Sequence, residues 1–294
     1  MRQHSRIQIA FCLDDNYVQQ VDAVIRSIAA TNANNAIDIH LVFNDLSIRN
    51  QSYFEQHQSE NLSIHFVSTD ILVDDVGPKN HVSKATFVKF EIIKAIDGLD
   101  KILYLDGDII VLDDLLPLWE TDISDYCLGA VENPFSSRHE ALNMHSDAVY
   151  FNAGVLLMNL KMMRQTGFYA RAHEYINKQG QHLIFHDQDV FNHLVNGCFY
   201  QMDAIYNYQT FFIRKIHLFD KVEQRTLREA LDKAVIMHYS SGIKPWFYLD
   251  PHPRAKLFRR YYTGALRRDV SESLLRQVVR YLVVKAYYFT HKII

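Results

Sequence analysis

Leu103-Tyr104-Leu105-Asp106-Gly107-Asp108-Ile109-Ile110-Val111 carries the densest chemistry in this chain of 294 residues. An apolar run ends abruptly in two carboxylates at i and i+2. In extended backbone such residues face the same side. Two carboxylates side by side repel unless a cation or a proton lies between them. Hard oxygen ligands suit Mg²⁺ or Mn²⁺, the usual partners of phosphate groups. Read alone, Asp-x-Asp is also an acidic turn after a buried strand.

The surroundings add a fold. Ile7–Leu13, Ile37–Phe43, Leu62–Val67 and Ile102–Leu105 read as strands. Between them Asn16–Ala30, Ile48–Gln58 and Val82–Ile96 read as helices, the first with Val18, Val21, Ile25 and Ile28 on one face. Strands alternating with helices predict an α/β fold with a mostly parallel central sheet flanked by helices. Ligands of such sheets sit beyond the carboxyl ends of the strands, where Asp106 and Asp108 fall. The second half is less regular. The apolar run Val155–Leu160 precedes a polar helix from about Lys161 to Lys178, then a short helix Asp189–Val195 and a strand Ala234–Met237.

Composition narrows the class. Hydrophobic residues are 48% and charged residues 22%, an ordinary globular balance. The net charge of −3 is too small for nucleic-acid binding by bulk charge. Cys12, Cys127 and Cys198 lie far apart with no CxxC pair, which excludes a disulfide framework and fits a reducing compartment. Ile7–Leu13 lacks the cleavage site of a secretory signal. The longest charge-free runs, Ala148–Leu160 and Val190–Met202, fall short of the ~20 residues of a spanning helix. The chain is therefore expected to be soluble or peripheral.

The charge is uneven. From Pro251 to Ile294 ten Lys and Arg face only Asp269 and Glu272, an excess of +8 against −11 over the preceding residues. Apolar residues at 274/275, 278/279 and 282/283 recur at helical spacing. The expectation is a catalytic domain over 1–250 and a basic amphipathic membrane-association segment over 251–294. The excess favours docking on anionic lipid over a terminal helix with a merely solvated basic face.

Four further clusters could do chemistry, and each has a plain structural reading beside it. Asp14-Asp15-Asn16 follows the first strand and would lie at the same sheet edge as Asp106 and Asp108; the same residues are favoured helix caps. Asn152-Ala153-Gly154 would let backbone N–H groups approach a ligand, and alone reads as a turn before a buried strand. His186-Asp187-Gln188-Asp189 could hold sugar hydroxyls, or could simply cap a helix with acids that suit its dipole. His238-Tyr239-Ser240-Ser241-Gly242-Ile243-Lys244-Pro245-Trp246 offers an imidazole compatible with Mn²⁺, backbone N–H groups and a cation for phosphate; a lone His after a strand is more often structural.

Taken together, in order from Ile7 to Trp246, these motifs resemble glycosyltransferase family 8, and most closely its bacterial lipopolysaccharide galactosyl- and glucosyltransferases. Leu115–Thr121 and Tyr150–Leu160 belong to the same match. The resemblance implies a GT-A fold and retaining transfer of galactose or glucose from a UDP-sugar to a lipopolysaccharide, lipooligosaccharide or related glycan. It implies that Asp106, Asp108 and His238 ligate Mn²⁺ or Mg²⁺, and that Asp14 and Asn16 contact uridine. Asn152, Ala153, Gly154, Asp187 and Gln188 would surround the donor sugar. Ser241, Gly242 and Lys244 would hold the pyrophosphate. Lys89 stands where the family usually has Arg, and Gly107 where relatives often have Ala or a larger residue. The catalytic candidates are Gln188 and Asp189. Front-face transfer, with Gln188 steadying the anomeric carbon, is favoured over a double displacement through Asp189. The location implied is cytoplasmic, peripheral on the inner face of the bacterial membrane, near a lipid-linked acceptor.

Two alternatives remain. Aspartyl-phosphate hydrolases also end an apolar strand in Asp-x-Asp, but generally on the first strand and with Thr or Val where Ile110 stands. A non-catalytic, membrane-bound sugar-nucleotide-binding protein would not need the complete metal and phosphate positions.

Overall fold

A computed structural model describes residues 6–70, 87–134, 136, 138–268 and 273–290. Residues 1–5, the first part of the helix expected over Val82–Ile96, and Asp269, Glu272 and Lys292 lie outside the described residues.

The strands are β1 (Ile7–Cys12), β2 (Ile37–Phe43), β3 (Leu62–Ser68), β4 (Lys101–Leu105), β5 (Ile109–Val111), β6 (Leu128–Glu132), β7 (Phe151–Asn159), β8 (Tyr200–Gln201), β9 (Tyr208–Gln209) and β10 (Ile236–His238). The helices are α1 (Val18–Thr31), α2 (Ile48–Glu55), α3 (Val88–Ala95), α4 (Leu116–Trp119), α5 (Leu160–Gln165), α6 (Phe168–Gln179), α7 (Asp187–Val195), α8 (Thr210–Arg214), α9 (Lys221–Asp232), α10 (Ala255–Arg259) and α11 (Leu274–Thr290).

Alternation along the strands builds two cores. Ile7, Ile9 and Phe11 register against Ile37, Ile39 and Leu41, and these against Leu62 and Ile64. This face packs under α1, through Val21, Val24, Ile25 and Ile28. The intervening residues Ala10, Val42, Ile102 and Tyr104 face the opposite way, onto Phe90 and Ile93 of α3. The sheet order is β3-β2-β1-β4-β7-β6-β8, parallel from β3 to β4, with β7 antiparallel to both neighbours. The expected α/β class with a mostly parallel sheet is what the chain adopts.

Differences from the sequence reading have local causes. Asn152-Ala153-Gly154, expected as a turn, lies inside β7 and pairs with β6 across a register shift. The helix expected from Lys161 to Lys178 breaks at Gly167, whose φ of 63° suits glycine, and becomes α5 and α6. Helix α9 was not anticipated, although Asp220 and Glu223 spell a capping box that the structure forms on both sides.

A second, three-stranded sheet, β5-β10-β9, positions the site. Strand β10 runs antiparallel to β5, with His238 opposite Ile109, and parallel to β9. The Tyr239 N–H donates to the Asp108 carbonyl at 2.9 Å and extends the ladder into the acidic motif.

The chain beyond residue 250 packs on this frame. Phe258 is fully buried in the first core. The Arg259 guanidinium donates to the Pro245 and Phe247 carbonyls, both at 2.7 Å. Helix α11 rests on the molecule through Tyr288 and Gln277, and the Tyr287 hydroxyl donates to the Arg214 carbonyl at 3.0 Å. Its stripe of Leu275, Val279, Leu282 and Val283 faces outward, each more than half exposed. Among the described residues no helix is long and apolar enough to cross a membrane.

Asp22 ties the two ends of the chain together. Fully buried on α1, its carboxylate accepts from His57 at 2.6 Å, Arg26 at 2.9 Å and Thr263 at 3.3 Å. Burial works against its charge, but the hydrogen bonds from His57 and Arg26 override it and hold the carboxyl below its ordinary value. A depressed carboxyl stabilises the fold above about pH 4 and loses that contribution as pH falls through the folded value. Asp22→Ala should therefore cost about 2–3 kcal/mol at pH 7, less than a fully sealed pair because Arg26 can turn to water. Urea unfolding should also show a flatter acid limb for the variant. An unchanged midpoint at pH 7 would contradict this role.

Candidate active site

Strand β4 delivers Asp106 and Asp108 to the carboxyl edge of the main sheet, and β10 delivers His238 beside them. One ligand atom from each of the three lies within 4.8 Å of the others. The His238 Nε2 is 3.2 Å from Asp108 Oδ1. Burial disfavours the Asp108 carboxylate, but the Lys244 ammonium and the His238 ring outweigh it and hold the carboxyl far below the usual range. Two carboxylates and one ring nitrogen form a hard-to-borderline donor set that fits Mg²⁺ or Mn²⁺.

Gly154 makes room for this cluster. A Cβ there would lie 2.3 Å from His238 Cε1 and 2.7 Å from Asp106 Oδ2, closer than real Cβ contacts allow. Its carbonyl accepts from the Asp106 N–H at 2.8 Å. Gly154, expected beside the donor sugar, packs directly under the candidate metal ligands.

Lys89 sits beneath the cleft, its side chain almost fully buried. It donates to Asp187 Oδ2 at 2.5 Å and to the Ala153 carbonyl at 2.8 Å, and lies 3.5 Å from Asp106. Tyr104 lies under it at 4.2 Å and donates to Asp106 at 2.7 Å. Burial alone would discharge the ammonium; Asp106 and Asp187 hold it protonated above its ordinary range. Asp187 itself is raised, because burial and Asp106 outweigh Lys89. A lysine thus serves three acceptors here, where the expected arginine would have offered a bidentate fork.

The outer wall holds Asp14, Gly107 and Tyr17. Asp14 accepts from the Asn16 N–H at 2.9 Å, which closes the turn before α1. Tyr17 meets Trp246 edge-on at 6.2 Å, and a Cβ on Gly107 would reach its ring at 3.1 Å. Tyr17 was not among the expected site residues, although it directly follows the acid-amide cluster. Lys244 reaches Asp108 and donates to the Tyr239 carbonyl at 3.0 Å. Ser241 donates to the Ile243 carbonyl at 2.9 Å, and nothing crowds Gly242.

Gln188 is held at both ends. Its Oε1 accepts from Asn152 Nδ2 at 3.0 Å and from the Ala153 N–H at 3.2 Å, and its Nε2 donates to the Tyr150 hydroxyl at 3.1 Å. Asp189, expected among the catalytic residues, is placed otherwise. It is fully buried, and its carboxylate accepts from the Tyr150 hydroxyl at 2.7 Å, Arg138 at 3.1 Å, and the Ile184 and Phe185 N–H groups at 2.9 and 3.0 Å. Three donors meet Oδ2, the Tyr150 hydroxyl meets Oδ1, and the carboxylate is fully buried, an arrangement that suits a positioning group better than a nucleophile. Neither Tyr150 nor Arg138 could be singled out in the sequence, because neither stands in a pattern that reads as chemistry.

A mostly parallel sheet with strand-end aspartates, an imidazole and an acid-lined cleft at its carboxyl edge has the layout of a GT-A glycosyltransferase. Comparison with known proteins agrees. The model of glycosyl transferase family 8 matches residues 8–250. General stress protein A of Bacillus subtilis is 26% identical, over 94% of this chain and all of the relative. Lipopolysaccharide 1,2-glucosyltransferase of Escherichia coli K12 is 23% identical, over 94% of this chain and 83% of the relative. The crystal structure of galactosyltransferase LgtC with donor and acceptor sugar analogs superposes with a TM-score of 0.77 at 25% identity, covering 90% of this chain and 98% of that one. The chain belongs to glycosyltransferase family 8.

The sealed carboxylate yields a test. Denaturing mass spectrometry after incubation with a nucleotide-sugar donor should find no glycosyl adduct on Asp189. Asp189→Ala should lower stability by about 3–5 kcal/mol, since it strands Arg138 and two backbone N–H groups. An adduct on Asp189 would overturn the assignment.

Proposed function

We propose that this glycosyltransferase moves a hexose, galactose or glucose, from a UDP-sugar to a lipopolysaccharide or related glycan with retention of configuration, and depends on a divalent metal, Mn²⁺ in the first instance. One observation carries the reading. The cleft is lined by Asp14, Asp106, Asp108 and Asp187, with Lys89 the buried cation among them. A nucleoside diphosphate would be repelled from such a wall unless a cation joined Asp106, Asp108 and His238. Bound there, a divalent ion would neutralise charge on the departing diphosphate. The names of the lipopolysaccharide glucosyltransferase and of LgtC support the donor and acceptor classes. Membership in a transferase family sets aside the phosphohydrolase alternative.

The chain's own groups suggest how retention is reached. Asp14 and the Tyr17 ring would receive the base and ribose. Lys89 keeps Asp187 in place beside the donor sugar, and Lys244 is within reach of the diphosphate. Gln188, its amide fixed at both ends, would steady the anomeric carbon of the sugar. The nearest carboxylate in sequence, Asp189, is sealed, and Asp187 is paired with Lys89. With no unpaired carboxylate beside Gln188 among the described residues, transfer on the face from which UDP departs is favoured over a glycosyl-enzyme.

Asp108→Ala should lower transfer by at least 10²–10³-fold, on the order expected for losing one charge-stabilising group. UDP release would be measured with UDP-glucose, UDP-galactose and their N-acetyl forms, with and without Mn²⁺. Equal activity after metal chelation would remove the metal from the mechanism.

The outward stripe of α11, accompanied by Arg276, Arg280 and Lys285, supports peripheral attachment to anionic lipid. A triple variant, Leu275→Glu with Val279→Glu and Leu282→Glu, should no longer co-sediment with phosphatidylglycerol vesicles while keeping activity on a soluble acceptor. Undiminished co-sedimentation would refute the docking face.

A further inference from the structure

Asn207 ends a 3₁₀ turn just before β9, fully buried and on no expected list of site residues. Its Oδ1 lies 2.9 Å from His238 Nδ1, and its Nδ2 donates to Asn152 Oδ1 at 2.9 Å. We infer that Asn207 is a positioning residue: it fixes the imidazole of His238 with its proton on Nδ1 and Nε2 turned to the metal site, and joins that site to the amides around the donor sugar. This rests on the metal-dependent reading above and deepens it.

Directions along this chain of groups are not free. A backbone N–H can only donate, so the atom facing it must be an acceptor. The Ala153 N–H at 3.2 Å sets Gln188 Oε1, and the Gly154 N–H at 3.0 Å sets Asn152 Oδ1. Asn152 therefore turns Nδ2 to Gln188 and Oδ1 to Asn207. Asn207 must answer that oxygen with its own Nδ2, which leaves its Oδ1 facing the imidazole. An amide oxygen accepts, so His238 Nδ1 carries a hydrogen, and Nε2, 3.2 Å from Asp108 Oδ1, is the ring nitrogen left to offer its lone pair to a cation held with Asp106 and Asp108. At the far end, Gln188 Nε2 donates to Tyr150, which donates to the ionised Asp189. Two backbone N–H groups and one carboxylate thus orient every link from Asp189 to the metal ligand. A buried amide with both ends used in this way is costly to replace by an apolar residue, because His238 Nδ1 loses its partner and Asn152 Oδ1 keeps only the Gly154 N–H.

Two variants separate the two arms. Asn207→Leu removes both. Asn207→Asp keeps an acceptor for Nδ1 and removes the donor to Asn152. The first readout is the ¹⁵N spectrum of histidine-labelled, metal-free protein, with the His238 ring signals assigned by His238→Gln. Wild type and Asn207→Asp should show a hydrogen on Nδ1, and Asn207→Leu a ring that also populates the form with its only hydrogen on Nε2, facing Asp108. The second readout is Mn²⁺ alone, titrated by electron paramagnetic resonance. Asn207→Leu should bind about 10- to 100-fold more weakly, the range for losing an outer partner of a ligating histidine, and Asn207→Asp close to wild type. The third is turnover: Asn207→Asp should lose kcat for transfer, because Asn152 and Gln188 lose their anchor.

An Nδ1–H His238 and wild-type Mn²⁺ affinity in Asn207→Leu would overturn the inference. Should that variant fail to fold, a changed tautomer or weakened Mn²⁺ binding in Asn207→Asp would overturn it equally. Wild-type protein that binds no Mn²⁺ would instead strike the metal-dependent reading, while the tautomer spectrum still judges the contact of Asn207 with the ring.

Discussion

Three residues of antiparallel ladder, with Ile109, Ile110 and Val111 facing His238, Met237 and Ile236, hold the active site together. The pairing closes a loop of roughly 130 residues, yet loop-closure entropy grows only logarithmically with length. Burial does the rest. All six residues are buried, the five apolar ones fully so. Once this register is set, the imidazole can lie nowhere but beside Asp108, and the turn that follows brings Lys244 to the same carboxylate. A slip by one residue would send His238 to the opposite face.

Around that ladder the site concentrates charge that would be unfavourable elsewhere. Lys89 is almost dry, Asp187 largely so, and Asp106 opens to the cleft beside them; the buried ammonium is tolerated because the two carboxylates are there. The lysine is split between two carboxylates and the Ala153 carbonyl and rests on the Tyr104 ring. Such an arrangement is poor for stability compared with an apolar core. It does give acids and amides fixed positions before any ligand arrives, which is what stabilisation of a charged transition state requires.

The half of the fold built from long periodic segments was legible in the sequence. Strands β1 to β4 and helix α1 fall close to where alternation and the Val18, Val21, Ile25 and Ile28 face put them. Asp106 and Asp108 were legible for the same reason, as acids at the end of an apolar strand. Most short elements were not. Strands β5 and β9 span three and two residues, too few to show a period. Strand β10 is legible as the apolar run Ala234–Met237, but its pairing with β5, which brings His238 beside Asp108, is tertiary, and the grouping of His238 with Asp106 and Asp108 came only through the family resemblance. Gln188 and Asp189 are neighbours in a motif, and nothing local says that one stays partly exposed while the other is sealed by Arg138 and Tyr150. Asn207 carries no signal at all until its neighbours in space are known. The capping box at Asp220 and Glu223 is the contrary case, a local signal present and unused.

The Arg259 clamp on the Pro245 and Phe247 carbonyls has a practical side. The family match stops at residue 250, but the folding unit does not. A recombinant fragment trimmed to that boundary would forfeit Phe258 and Arg259 together, leaving a hole against Tyr239 and Trp246 and a slack hinge behind Lys244. Expression work on this protein is better served by retaining the stretch through residue 268, and by engineering solubility on the outward side of α11 instead of by shortening the chain.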